Sequence, residues 1–269
     1  MKPNFSPLRD FPGKLIILEG PDGSGKSTQA KKLKKKIEDD GNTAIVVSWK
    51  DAPHFRDYFT QHELKKGVDV VTPESHLLLQ VADMLYQIER KVIPHLIKGH
   101  TVIMDRALPT IVIRGLTLGH TLQQLENGLL WFANSIYREL FERATTIFLS
   151  VSAKKTLENM AERAKKDGDS GEGTLLSLHM VQKLRYMPDG EKLTKKAKRR
   201  LVEKLQDTYV TSYHHYFAHH PAVTIDANQD KKIVFQQIIS TLFPVKFSNF
   251  TRGSFRRDTV KRERKLLHK

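Results

Sequence analysis

Short apolar runs alternate along this chain with longer stretches in which apolar residues recur every three or four positions. K-L-I-I-L-E at 14–19 is a near-continuous apolar run that stops at a glycine, which is the pattern of a strand buried on both faces. T-A-I-V-V-S (43–48), T-V-I-M-D (101–105), T-I-F-L-S-V (146–151) and V-T-I-D (223–226) repeat it. Helical periods lie between them. Ala30, Leu33 and Ile37 fall on one face and Lys31, Lys32, Lys34, Lys35 and Lys36 on another, with Gly41 as the stop. Residues 74–97 predict a long helix with Leu77, Leu78, Val81, Leu85, Ile88 and Val92 inward. Residues 121–142 predict another, lined by Leu122, Leu125, Leu129, Phe132, Ile136 and Leu140, and 153–165 and 230–242 two more. Strands alternating with helices imply an α/β fold: a five-stranded parallel sheet with helices on both faces.

Two regions interrupt this alternation. Residues 166–190 contain K-K-D-G-D-S-G-E-G and read as a flexible segment. A basic helix is expected over 191–205, with Lys192, Lys195, Lys196, Lys198, Arg199 and Arg200. The expected organisation is one domain over 14–243, with an insertion at about 165–205, and a basic tail over 244–269. Charge follows the same division. The net charge is +15, and residues 245–269 hold nine Lys/Arg against two acids. A basic excess favours phosphate-bearing partners, nucleic acid among them. The chain has no cysteine, which excludes disulfides, thiolate metal sites and a cysteine nucleophile. No run reaches the ~18 apolar residues of a membrane span. With no apolar leader either, the expected location is cytoplasmic.

The chemistry concentrates after the first strand. G-P-D-G-S-G-K-S-T (20–28) fits G-x-x-x-x-G-K-[ST] between a buried strand and an amphipathic helix. Glycines let successive backbone N–H groups converge on phosphate oxygens. Asp22, Gly23, Ser24, Gly25, Lys26, Ser27 and Thr28 are the expected nucleotide contacts. Lys26 is to reach the outer phosphates and Ser27 to hold magnesium at a helix N-terminus. Asp105 and Arg106 end the third strand, where ligands of open parallel sheets bind. Asp105 is the second candidate for magnesium, and Arg106 can clamp another phosphate. ATP and Mg2+ are thus the expected cofactors.

With these motifs in place, the chain resembles the thymidylate kinase family of P-loop nucleoside-monophosphate kinases over about 14–242. L-E-G-P-D-G-S-G-K-S-T-Q-A is similar to its first motif, in which the residue at Asp22 lies close to the acceptor sugar. V-I-M-D-R (102–106) is similar to its second. The segment around Arg163 is placed like its lid, and I-D-A-N-Q (225–229) like the loop that packs near adenine, through Asn228. The resemblance implies the three-layer fold of that family, a lid arginine (Arg163) over the transferring phosphate, and a homodimer.

The acceptor side departs from the family. Gln80 and Met84 stand where it stacks a phenylalanine on thymine and reads the base with an arginine. Lys50 and Asp51 represent its acceptor loop, and Arg114-Gly115 replace a Tyr-Gln pair. Lys50, Asp51, Gln80, Met84, Arg106, Arg114 and Asp22 are therefore the candidate acceptor residues. Three readings stay open: a kinase for a free nucleoside monophosphate other than dTMP or dTMP itself, a kinase for a nucleotide within nucleic acid, and a nucleotide-gated binding protein. His214, His215, His219 and His220 read as a solvated helix end rather than a metal site. Tyr209, Tyr213, Tyr216 and Phe217 read as core, as do Trp49 and Phe55 on even terms with a base platform.

Overall fold

The computed structural model describes residues 11–48, 73–129, 137, 139–166 and 195–244. Lys50, Asp51, Trp49 and Phe55, most of the expected insertion, and the basic tail lie outside the described residues.

Five strands form one sheet: β1 (Lys14–Glu19), β2 (Ala44–Ser48), β3 (Thr101–Asp105), β4 (Thr145–Ser150) and β5 (Val223–Asp226). Their spatial order is β2-β3-β1-β4-β5 and every pairing is parallel. The five expected strands are all present. Alternation along β1 sorts its residues into two cores. Leu15 and Ile17 join one cluster, and Ile16 and Leu18 the other. That is why a strand buried on both faces reads as an unbroken apolar run.

On one face lie α1 (Lys26–Asp39) and α8 (Lys231–Leu242), which touch each other beside the sheet. Ala30, Leu33 and Ile37 of α1 are buried as expected. Three of its lysines are paired one turn on, Lys34 with Glu38, Lys35 with Asp39 and Lys36 with Asp40. With Lys31 and Lys32 beside these pairs, its polar face stays basic, as expected.

The other face carries α2 (Pro73–Gln87), α4 (Leu108–Thr117) and the 25-residue α7 (Lys195–His219), with α4 packed against both others. The expected helix over 74–97 is there, but Ile88–Val92 form a π-turn before α3 (Ile93–Ile97). Pro94 has no N–H to give the carbonyl one turn back, so the turn widens. Leu78 was expected inward and is 57% exposed, while Met84 is buried. The inward stripe instead runs through Leu77, Gln80, Val81, Asp83, Met84 and Gln87.

The segment expected as a helix over 121–142 is helical at each of its described residues from Leu122 on, and Phe132 and Ile136 lie outside the described residues. A capping box of Thr121 and Gln124 starts α5 (Leu122–Gln124), which passes into a π-turn at Leu125–Leu129. A Cβ on Gly115 would lie 2.3 Å from Leu125 Cδ2, so glycine there is what lets α4 and this turn meet. Residues 139–142 are helical. The helix α6 (Ala153–Lys166) follows β4. The basic helix and the histidine-rich end, read separately, belong to the single α7.

The apolar stripe of α1 is the feature that anchors it. Leu33→Ala, at a fully buried position, is expected to lower the unfolding free energy in urea by 2–5 kcal/mol, roughly. Lys35→Ala, which removes only an exposed pair, should change it by less than about 0.5 kcal/mol.

Candidate active site

The loop between β1 and α1 rises at the carboxyl end of the central strand. Gly25 caps α1 in the left-handed region (φ 93°), and a Cβ there would meet nothing within 4 Å. Side-chain-free, open space at a helix N-terminus is what an anion cradle needs. Ser27 and Thr28 are exposed at this mouth and Ser24 is buried beneath it. Lys26 is folded back, donating to the carbonyls of Gly20 and Pro21 (2.7 Å each) and to Ser24 Oγ (3.2 Å). All three partners are neutral. Burial first, then the Arg106 charge, pulls its pKa down to about 7, although Asp105, Asp22 and Glu19 push the other way. A polyphosphate would give this ammonium the anionic hydrogen-bond partner it lacks among the described residues. Ser27 Oγ donates to Asp105 Oδ2 at 2.5 Å, bridging the loop and β3. A hydroxyl and a carboxylate converging here form a hard-oxygen pair suited to magnesium. The residues present thus fit both ATP and Mg2+.

Arg106 lies on the other side of the loop. Among the described residues it is the only non-glycine with a left-handed backbone (φ 79°). Its N–H bonds the Leu18 carbonyl at 3.1 Å, and the next N–H, of Ala107, bonds Glu19 Oε1 at 2.7 Å. Flanking bonds of this kind hold a conformation that costs of order 1–3 kcal/mol. The buried guanidinium donates to Gly20 O (3.1 Å) and Tyr213 Oη (2.9 Å) and forms an ion pair with Asp22. Burial alone would weaken its charge. Asp22, Tyr213, Tyr209 and Asp105 outweigh that and keep it firmly protonated.

Sequence reasoning did not single out Glu19 as a site residue. It is wholly buried, and its Oε2 accepts from Thr110 Oγ1 at 2.7 Å and from Tyr213 Oη at 3.4 Å. Burial raises its pKa against the opposing hydrogen bond from Thr110 and the charge of Arg106. Tyr209, Tyr213 and Tyr216 are buried as expected, but Tyr213 also carries a polar end into the site. The only sequence signal for Glu19 was an acid closing an apolar strand directly before the glycine loop.

The remaining candidates fall into three places. Gln80 and Met84 are buried on α2, next to α4, which carries half-buried Arg114. Arg163 is exposed near the end of α6. Asn228 sits beyond β5 and accepts from Ser152 N and Oγ, 3.0 Å each, while its own N–H and amide donate to Asp226. His220 spans the Tyr216 carbonyl (2.9 Å) and Glu126 (3.0 Å), and among the described residues no three metal-ligating side chains cluster.

An all-parallel sheet with a phosphate loop beside its central strand, and a hydroxyl–carboxylate pair beside an arginine, defines a P-loop phosphotransferase. The profile of the family described as thymidylate kinase matches residues 18–208. Relatives named thymidylate kinase include that of Dinoroseobacter shibae, 37% identical over 109 residues, or 40% of this chain and 53% of the relative. That of an Exiguobacterium species is 26% identical over 58% of this chain and 71% of its own. That of Caldanaerobacter subterraneus subsp. tengcongensis is 24% identical over 65% and 80%. The chain thus spans about half the length of the first of these relatives and more of the other two. It belongs to the thymidylate kinase family, and with it to the ATP-dependent nucleotide kinases, phosphotransferases that work with ATP and Mg2+.

The depressed Lys26 pKa has a measurable consequence. Phosphate favours the ammonium form, so ATP affinity should be fully developed below pH 7 and weaken as pH rises past it. Calorimetric titration at about pH 8.5 in two buffers of different ionisation enthalpy should show proton uptake on binding. Lys26→Met should abolish that uptake along with most of the affinity.

Proposed function

We propose that this chain transfers the terminal phosphoryl group of ATP to the phosphate of a free nucleoside monophosphate, giving ADP and a nucleoside diphosphate, and that its preferred acceptor is not dTMP. The observation that carries this reading is the Arg106–Asp22 pair. A carboxylate engages the buried guanidinium much as a phosphate would. Arg106 is 8% exposed. A terminal phosphate monoester can reach a group at that depth, whereas a phosphodiester with chain on both sides is too bulky. This favours a free nucleotide over one inside nucleic acid. Asp22, released from Arg106, is then available to a sugar hydroxyl. Gln80 and Met84 in place of a stacking aromatic and an arginine argue for an acceptor base other than thymine.

On this reading Lys26 and the loop N–H groups hold the donor phosphates, and Ser27 and Asp105 hold magnesium. ATP supplies the phosphoryl group and magnesium offsets its charge. Arg163 neutralises the group in transit, which suits a reaction governed by positioning and charge. Lys50, Asp51 and Arg114 complete the acceptor side, and Asn228 borders the donor base. A cytoplasmic location matches that nucleotide supply. No described helix is long and apolar enough to cross a membrane.

We also infer a homodimer, through the exposed stripe of Leu78, Leu79 and Tyr86 on α2. Sedimentation velocity should show a dimer that Leu78→Glu converts to monomer. An unchanged sedimentation coefficient would remove this face from consideration.

ATP consumption should be followed across mononucleotides, nucleosides, and single- and double-stranded DNA and RNA. A mononucleotide other than dTMP is expected to give the highest kcat/KM. Turnover with polymer alone would select a nucleic-acid kinase, and ATP binding without transfer to anything a binding protein. With the best acceptor, Arg106→Ala should lower kcat/KM about 100-fold, the equivalent of one or two charged hydrogen bonds, while the KM for ATP holds.

A further inference from the structure

The tip of the phosphate loop does not stand free. It is seated on α6. Asn159 Nδ2 donates to the Gly23 carbonyl at 2.8 Å, across 136 residues of chain. A Cβ added to Gly23 (φ 81°) would lie 2.7 Å from the Thr156 carbonyl and 3.3 Å from Met160 Cγ. Glycine at 23 therefore permits the close approach as well as the left-handed backbone. The seat itself is braced from behind. Thr156 is wholly buried, and Gln206 of α7 donates to its hydroxyl at 2.8 Å.

The Gly23 carbonyl and the Ser24 N–H belong to one planar peptide and point in opposite directions. Asn159 holds the carbonyl end. The N–H end turns into the loop, toward the Pro21 carbonyl at 3.2 Å. The side chain of Asn159 thereby decides which way this peptide faces. If it were to flip, the Ser24 N–H would lose the Pro21 carbonyl, the turn that shapes the cradle would open, and a carbonyl, which repels phosphate, would face the inside of the loop. Arg163 lies one turn beyond Asn159 on the same face of α6, so the same contact sets where that arginine stands relative to the loop.

We propose that Asn159 is a positioning residue of the donor site: its amide locks the Gly23–Ser24 peptide so that the loop presents N–H groups to a nucleotide polyphosphate, and it registers α6 on the loop. This rests on the reading of Gly20–Thr28 as the ATP site and adds a residue that touches neither ATP nor acceptor.

The test uses the full chain and two probes, ATP and inorganic tripolyphosphate, the second reading the phosphate cradle alone. Asn159→Ala should weaken both by about tenfold, the effect of one hydrogen bond of ordinary net worth. The acceptor KM and the thermal midpoint should stay near those of the parent. Asn159→Asp, which sets an acceptor against the carbonyl, should weaken both probes further. Asn159→Gln, which keeps a donor, should recover part of the loss. ATP and tripolyphosphate binding equal to the parent in Asn159→Ala would overturn the proposal, as would a loss confined to ATP. If Asn159→Ala lowers the thermal midpoint, Asn159→Gln and Asn159→Asp at matched stability decide: equal affinities in the two would overturn it. If instead the unaltered chain binds neither probe, or Lys26→Ala binds as tightly as the parent, the ATP-site reading itself fails.

Discussion

The site depends on a backbone conformation that only its surroundings can hold. Arg106 sits at φ 79°, where an arginine gains nothing locally. Two adjacent N–H groups keep it there, one bonded to the Leu18 carbonyl and one to the Glu19 carboxylate. Both acceptors come from the end of β1, the strand that leads into the phosphate loop. Glu19 then reaches Thr110 on α4 and Tyr213 on α7. One buried carboxylate thus ties the end of the central strand to the two helices above it. Placing the guanidinium beside the loop follows from that tie. Removing the carboxylate would orphan the buried Ala107 N–H and leave Thr110 and Tyr213 to each other at 3.0 Å.

The donor side is assembled from the opposite direction. Ser27 is joined to Asp105, and the loop tip is joined to α6 by Asn159. The loop is therefore held by β3 on one side and by the helix that leads into the expected lid on the other. The spatial order β2-β3-β1-β4-β5 makes this geometry available. It sets β1 between β3 and β4, so the residues following those two strands flank the loop. A site built this way couples its parts by rigid connections rather than by mobile contacts, which is how catalytic groups stay positioned.

What the sequence made legible was local. Strands showed because burial on both faces writes an apolar run, and the phosphate loop showed because its glycines must be adjacent. The helix at 108–117 did not show. It is only ten residues long, buried on nearly every side between α2 and α7, and its run Ile111-Val112-Ile113 is β-branched, which reads as strand rather than helix. The inward face of α2 was misjudged at Leu78 for a related reason. The stripe includes Gln80, Asp83 and Gln87, polar residues that hydrophobic counting assigns to solvent. Glu19, Tyr213 and Asn159 were out of reach because their partners lie 136 to 194 residues away in sequence for the Gly23 and Tyr213 contacts. No periodicity reports on such pairs. Asp105 and Arg106 could be named because strand ends in a parallel sheet have a known relation to ligands, but the Asp22–Arg106 pair could not.

For the acceptor we propose, that pair also sets the terms of binding. Without substrate, the buried cations Lys26 and Arg106 stand among Glu19, Asp22 and Asp105. Arg106 already has its anion. On the proposed function an acceptor phosphate would not fill an empty clamp; it would displace Asp22, and the gain would be the difference between two charge-assisted contacts. The exchange stays favourable only if Asp22 finds another donor, and a sugar hydroxyl is of the right kind. It also requires a guanidinium. Arg106 meets Asp22, Gly20 and Tyr213 together, and a planar fork can swap one partner while keeping the other two. A lysine ammonium has the charge but not the fixed directions, so the swap would loosen the whole group. Under that proposal, acceptor phosphate recognition would rest on the backbone at Arg106 and the carboxylate of Glu19 as much as on the residues that touch the ligand.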